Sequence, residues 1–148
     1  MTQYTFPNQK AFLLLFKDYL THHRQICFKI DNFAQIYFLT VNLPNSVNSI
    51  QFLSSQHVIT SYGVRWWLQL IKESKLILQL QNITDILDCV DYAGYAMAAL
   101  RLGQKNILFD SRSTQFKSLA LRAFSVQANL VSTPAECFDM TPLRYKMD

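Results

Sequence analysis

The pattern of apolar and polar positions is clearest between residues 86 and 132, where short apolar runs alternate with segments of helix length. The runs are Ile86-Leu87-Asp88-Cys89-Val90, Asn106-Ile107-Leu108-Phe109-Asp110 and Asn129-Leu130-Val131-Ser132. Such an alternation predicts βαβ units, whose parallel strands are buried on both faces. The first intervening helix, residues 92–102, follows Asp91 as N-cap and stops at Gly103. It is apolar on every side, so it is expected to be covered on more than one face, by another element or by a second subunit. In the second, residues 114–127, Phe116, Leu119, Ala120, Ala123 and Phe124 recur at the spacing of a single core-facing stripe. Gln115, Lys117, Ser118 and Arg122 fall outside that stripe.

Upstream, residues 1–7 read as a lead-in. Phe12, Leu15, Phe16, Tyr19 and Leu20 then follow helical spacing and predict a helix over residues 8–22. Ile26, Phe28 and Ile30 alternate with Cys27 and Lys29 as a half-buried strand does, and Asp31-Asn32 is a turn pair. Residues 34–41, rich in β-branched and aromatic side chains, predict a second strand and so an antiparallel hairpin. Residues 44–49 have loop composition, and the short apolar pieces 50–53 and 58–60 fit either element type. Val64, Trp67, Leu68 and Ile71 share one face of a helix, widened by Trp66 and Leu70. Residues 76–81 alternate as a strand. Thr133-Pro134 ends the last strand, and residues 135–148 are expected to pack along the outside. The pattern thus predicts an α/β fold: a single domain with an N-terminal helix and antiparallel hairpin leading into a C-terminal parallel βαβαβ half, helices packed on the sheet.

Composition changes this picture in three ways. A chain of 148 residues fits one domain with a substantial core. Half of it is apolar and 14% aromatic against 16% charged, enough to leave aromatic surface for a partner, so a homodimer is expected. The net charge of +4 comes from scattered rather than clustered Lys and Arg, without the basic stripe that nucleic-acid binding leaves. No apolar run approaches the ~20 residues that cross a bilayer, so no membrane partner is expected. Cys27, Cys89 and Cys137 are odd in number, lack metal-ligand spacing and follow no export signal. They predict reduced thiols in a cytoplasmic protein.

Candidate chemistry follows from the rule that open parallel sheets bind ligands beyond the carboxyl ends of their strands. That rule gathers residues 89–92, 110–114 and 133–136. In the second loop, Ser111, Arg112, Ser113 and Thr114 place hydroxyls and a guanidinium at a helix start, an arrangement suited to a small anion. The plainer alternative has Ser113 as a cap and Arg112 solvated. Asp88, Asp91 and Asp110 suggest Mg²⁺, but Asp91 is spent as a cap and one carboxylate does not make a site, so no metal is expected. His22 and His23 point about 100° apart on a helix and read as a solvated helix end. Cys89 lies near a helix start, where a thiolate is stabilised, although burial as a small hydrophobe is the commoner fate. No P-loop, zinc motif, nucleophile elbow or glycine-rich dinucleotide fingerprint is present, and no cofactor is expected. These features favour a non-catalytic cytoplasmic protein that binds a protein partner or small ligand. The alternative is a small enzyme acting on an anionic or phosphorylated substrate at the Ser111 to Thr114 loop.

Overall fold

The computed structural model describes residues 3–5 and 9–146. The elements run β1 (Gln3–Thr5), α1 (Gln9–His22), β2 (Cys27–Ile30), α2 (Phe33–Asn42), β3 (Ser49–Ser54), α3 (Val58–Ser61), α4 (Val64–Leu78) and β4 (Asn82–Asp88). They continue with α5 (Ala93–Arg101), β5 (Asn106–Leu108), α6 (Phe116–Ser125), β6 (Asn129–Val131), β7 (Phe138–Asp139) and β8 (Arg144–Lys146). Six strands form one sheet in the order β6-β5-β4-β3-β2-β7, and every pairing in it is parallel. β1 and β8 make a separate antiparallel pair. The expected lead-in over residues 1–7 lies outside the described residues except for β1.

The expected antiparallel hairpin is not found, because the segment read as its second strand is helix α2. Aromatic and β-branched residues there favour a strand by composition, but a capping box decides the outcome. The Asn32 side chain accepts from the Gln35 amide, and Gln35 Oε1 accepts from the amides of Asn32 and Asp31. Gln35 also donates to Asp31 Oδ1 and to the Leu143 carbonyl, which ties the start of α2 to the C-terminal segment. The strand expected at residues 76–81 is likewise absent. α4 runs on to Leu78 and ends where Gln79 turns left-handed at φ 51. The parallel half read between residues 86 and 132 is present, with helix and strand ends shifted by a few residues.

From β2 to β6 each link moves one strand in the same direction, so right-handed crossovers put all the connecting helices on one face. That face carries the main core. Trp67, Phe28, Phe52 and Phe109 are fully buried in it, and Phe16 of α1 stacks on Phe28 at 5.7 Å. The opposite face presents a smaller apolar row, Cys27, Leu53, Ile86 and Leu108, against which Val131, Ala135 and Cys137 pack. Among the described residues no helix packs on this row; Val131 and the segment carrying Ala135 and Cys137 cover it.

The six residues 132–137 leave β6 at its carboxyl end and join β7, the far edge strand, which begins level with Phe28 of β2. On a flat sheet that crossing measures about 24 Å sideways and about 10 Å back along the strands. Seven Cα steps reach at most about 25 Å. A flat sheet leaves no slack, so the segment crosses the second face nearly fully extended, as a strap lying directly on its four buried side chains. The expectation that residues 135–148 pack on the outside is corrected on the same grounds: Ala135 and Cys137 cover the second face, and Met140 and Leu143 enter the main core.

A second correction concerns the cysteines. Cys27 and Cys137 are joined by a disulfide, with Cα atoms 4.5 Å apart, while Cys89 is free and buried. The bridge became possible because β7 pairs with β2, which brings together two cysteines 110 residues apart.

Candidate functional site

The carboxyl ends of the strands hold three polar groups. At β2 and β3, His57 donates from Nε2 to Asp31 Oδ2 at 3.1 Å, and Ser55 Oγ lies 3.1 Å from His57 Nδ1. The residue types are those of a hydrolytic triad, but the alignment is not. Ser55 Oγ is also only 3.5 Å from Nε2, so it sits beside the ring rather than in line with either ring nitrogen. Asp31 is further bonded by Asn32 and Gln35, which makes it a joint between the end of β2, α2 and α3. This set stabilises the loops and is not poised for proton transfer.

At β4, Asp88 is only 7% exposed. Its Oδ1 accepts from the Val90 amide, and its own amide donates to Ser54 Oγ. Burial holds its carboxyl above the usual range, opposed by the Val90 bond and by the charge of Lys29. Val90 adopts φ 56, an uncommon conformation for a β-branched residue, while its carbonyl accepts from the Asp110 amide at 2.8 Å. Burial pushes the neighbouring Cys89 thiol up to about 12, which removes it as a nucleophile at neutral pH.

At β5, the expected anion-binding residues are in one loop, but their groups are engaged among themselves. Arg112 donates from Nε and Nη2 to both oxygens of Asp110, at 3.1 and 2.9 Å, and its amide donates to Asp110 Oδ1. These bonds hold the Asp110 carboxyl below the usual range and raise the guanidinium further. Ser113 Oγ accepts from the Gln115 amide, and Ser111 and Thr114 remain at the surface. The third loop of the expected crevice does not join the other two. Residues 133–136 belong to the strap and lead to the opposite end of the sheet, where the Glu136 carbonyl accepts from the Tyr19 hydroxyl at 3.4 Å.

That opposite end contains a cleft of about 690 Å³ bounded by the end of α1, the starts of β2 and β3, Thr84 and the strap. His23 stacks on Tyr19 and bonds Glu136 Oε1 at 3.2 Å. Its imidazole is held above the ordinary histidine range first by the Tyr19 carbonyl and then by Glu136. His22 contacts Asp18 at 3.2 Å. The two histidines thus have separate partners, and among the described residues no group of three metal-ligating side chains comes together.

The remaining feature is a surface. Phe124 is 84% exposed and Leu121 74%, both on the outer flank of α6. Phe124 was expected to face the core, but α6 buries Leu119 and Ala123 instead. α6 precedes the edge strand β6, and its outward flank has no further strand to cover. The alanine-rich helix α5 buries Ala96, Ala99 and Leu100 and leaves Tyr95 partly exposed. Trp66 stacks on Tyr62 at 4.5 Å.

Together these features define a singly wound parallel α/β protein with a strapped second face. No protein-family model matches the chain and no curated protein is similar to it, so its functional reading rests on the geometry.

Two features of interest escaped the sequence reading. The cleft depends on a strap whose path follows only from strand order. The Ser55, His57 and Asp31 contacts required β2 and β3 to be parallel neighbours, a strand order that the residue pattern does not give. The one available signal was Asn32 followed three residues later by Gln35, a helix start where a strand had been inferred.

Proposed function

We propose that this protein acts by binding rather than by catalysis, and that it binds a protein partner through the outer flank of α6. The observation that carries this reading is the exposure of Phe124 and Leu121 side by side on one helix. A large aromatic ring left in water at this level is costly in a monomer, and such a ring is a common anchor at interfaces. Self-association is the first case, because a symmetric dimer would pair this flank with itself beside the free edge of β6. No helix among the described residues is long and apolar enough to cross a membrane. A cytoplasmic location remains part of the proposal, with the corollary that the Cys27–Cys137 bridge must then survive a reducing environment.

Sedimentation of the protein at tens of micromolar, beside Phe124→Asp, tests the reading. A dimer that the substitution converts to a monomer supports it. A wild-type monomer rejects self-association, and a dimer untouched by Phe124→Asp rejects the α6 flank. The enzyme reading at Ser111, Arg112, Ser113 and Thr114 is the weaker proposal, since the Nε and Nη2 donors of Arg112 in that loop are engaged by Asp110.

A further inference from the structure

The cleft beneath the strap differs from the other polar clusters in the state of its side chains. Arg24, Gln25, Ser49, Gln51 and Thr84 all line it. Among the described residues, none of these five side chains has a hydrogen-bond or ion-pair partner in the protein. At the carboxyl end, by contrast, Asp31, Ser55, His57, Asp88, Asp110 and Arg112 are each bonded to one another or to nearby backbone.

We propose that this cleft is a binding site for a compact oxyanion, a carboxylate or phosphate group, with Arg24 as its charged contact. Guanidinium is the side chain best shaped for two parallel bonds to such a group. Gln25, Gln51, Ser49 and Thr84 add neutral donors, and a volume of about 690 Å³ lies within the range of small-molecule sites. Among the described residues the only carboxylate lining the cleft is Glu136, which His23 already engages. Glu136 and Ala135 stand on the strap, so the wall of the site is held in place by the Cys27–Cys137 bridge. A ligand here would touch α1, three strands and the strap together.

Calorimetric titration at pH 8.5 with two probes, inorganic phosphate and succinate, tests the site and separates the two sources of the oxyanion. The wild type is expected to bind one of them with a Kd at or below roughly 1 mM. Arg24→Ala should weaken that binding at least about tenfold, the scale of a lost charged hydrogen bond. Glu136→Gln should strengthen it, because the substitution removes the negative charge from the same cleft. Arg112→Ala, at the other end of the sheet, should leave the affinity unchanged. Circular dichroism checks that each variant is folded, and Arg24 and Glu136 are both surface residues whose replacement leaves the core intact. Absence of binding by both probes up to roughly 20 mM, well beyond the millimolar range, overturns the proposal. So does equal affinity in wild type and Arg24→Ala, or a loss in Arg112→Ala as large as that in Arg24→Ala.

Discussion

The two ends of the sheet carry similar residue types and put them to different use. At the carboxyl ends, polar side chains are spent on one another: Asp110 on Arg112, Asp31 on His57 and Gln35, Asp88 on the Val90 amide. At the amino ends, Arg24 and four neutral side chains face an open cleft without protein partners among the described residues. The general rule places ligands at carboxyl ends because crossover loops diverge there at a change of winding direction. This sheet winds in one direction from β2 to β6, so it has no such change along that stretch. Among the described residues its one reversal is the jump from β6 to β7, and the strap that makes this jump ends beside the amino-end cleft. The ligand-competent end is therefore set by the path of one connection.

The largest expected effect comes from loosening that connection. Cys137→Ser removes a bridge between residues 110 apart, and the lost constraint on the unfolded chain should cost about 2 to 5 kcal/mol. Urea denaturation with and without a reductant measures it. A variant as stable as the wild type would mean the bridge contributes nothing to the strap.

Next is the polar joint at the carboxyl end. Gln35→Ala deletes four hydrogen bonds, to Asp31, Asn32 and Leu143, at a fully buried position. A loss of about 2 to 4 kcal/mol is expected. A change below about 0.5 kcal/mol, the level of an ordinary surface substitution, would show that this end is not the structural joint described here.

Much of the fold on the β4 to β6 side was legible because each strand there is a short apolar run and α5 stops at Gly103, although α5 begins after Tyr92 without the expected Asp91 side-chain cap. The N-terminal half was misread where composition and capping disagreed. Ile36, Tyr37, Phe38 and Val41 favour a strand, yet Asn32 and Gln35 close the first turn of a helix, and the cap is the more specific signal. Leu76, Leu78 and Leu80 alternate as a strand would, but they straddle the end of α4 and its left-handed stop at Gln79. The disulfide was illegible for a different reason. An odd cysteine count gives no pairing, and β7 is only two residues long, too short to declare itself as the neighbour of β2. The position of Phe124 was missed because spacing identifies a stripe but not where the sheet beneath it ends.

A smaller effect concerns pH. Burial raises the Asp88 carboxyl above its unfolded value, so its charged form opposes folding. The stability associated with this group is present below the usual carboxylate range and is lost as pH rises through the raised folded value. Asp88→Asn should therefore gain stability over the wild type at neutral pH, and the gain should vanish below about pH 4. Urea midpoints at both pH values check the sign; a wild type more stable than the variant at neutral pH would contradict it. The smallest expected effect is that of Arg112→Ala, which breaks an exposed pair and should leave the thermal midpoint unchanged within error.

The central claim is that the strap is tied across the second face of the sheet by the Cys27–Cys137 bridge, since the wall of the cleft and the difference between the two ends of the sheet rest on it. Titration of thiols in denatured, unreduced protein tests this directly. One thiol, that of Cys89, is the predicted count, rising to three after reduction. Three thiols before reduction would contradict the account.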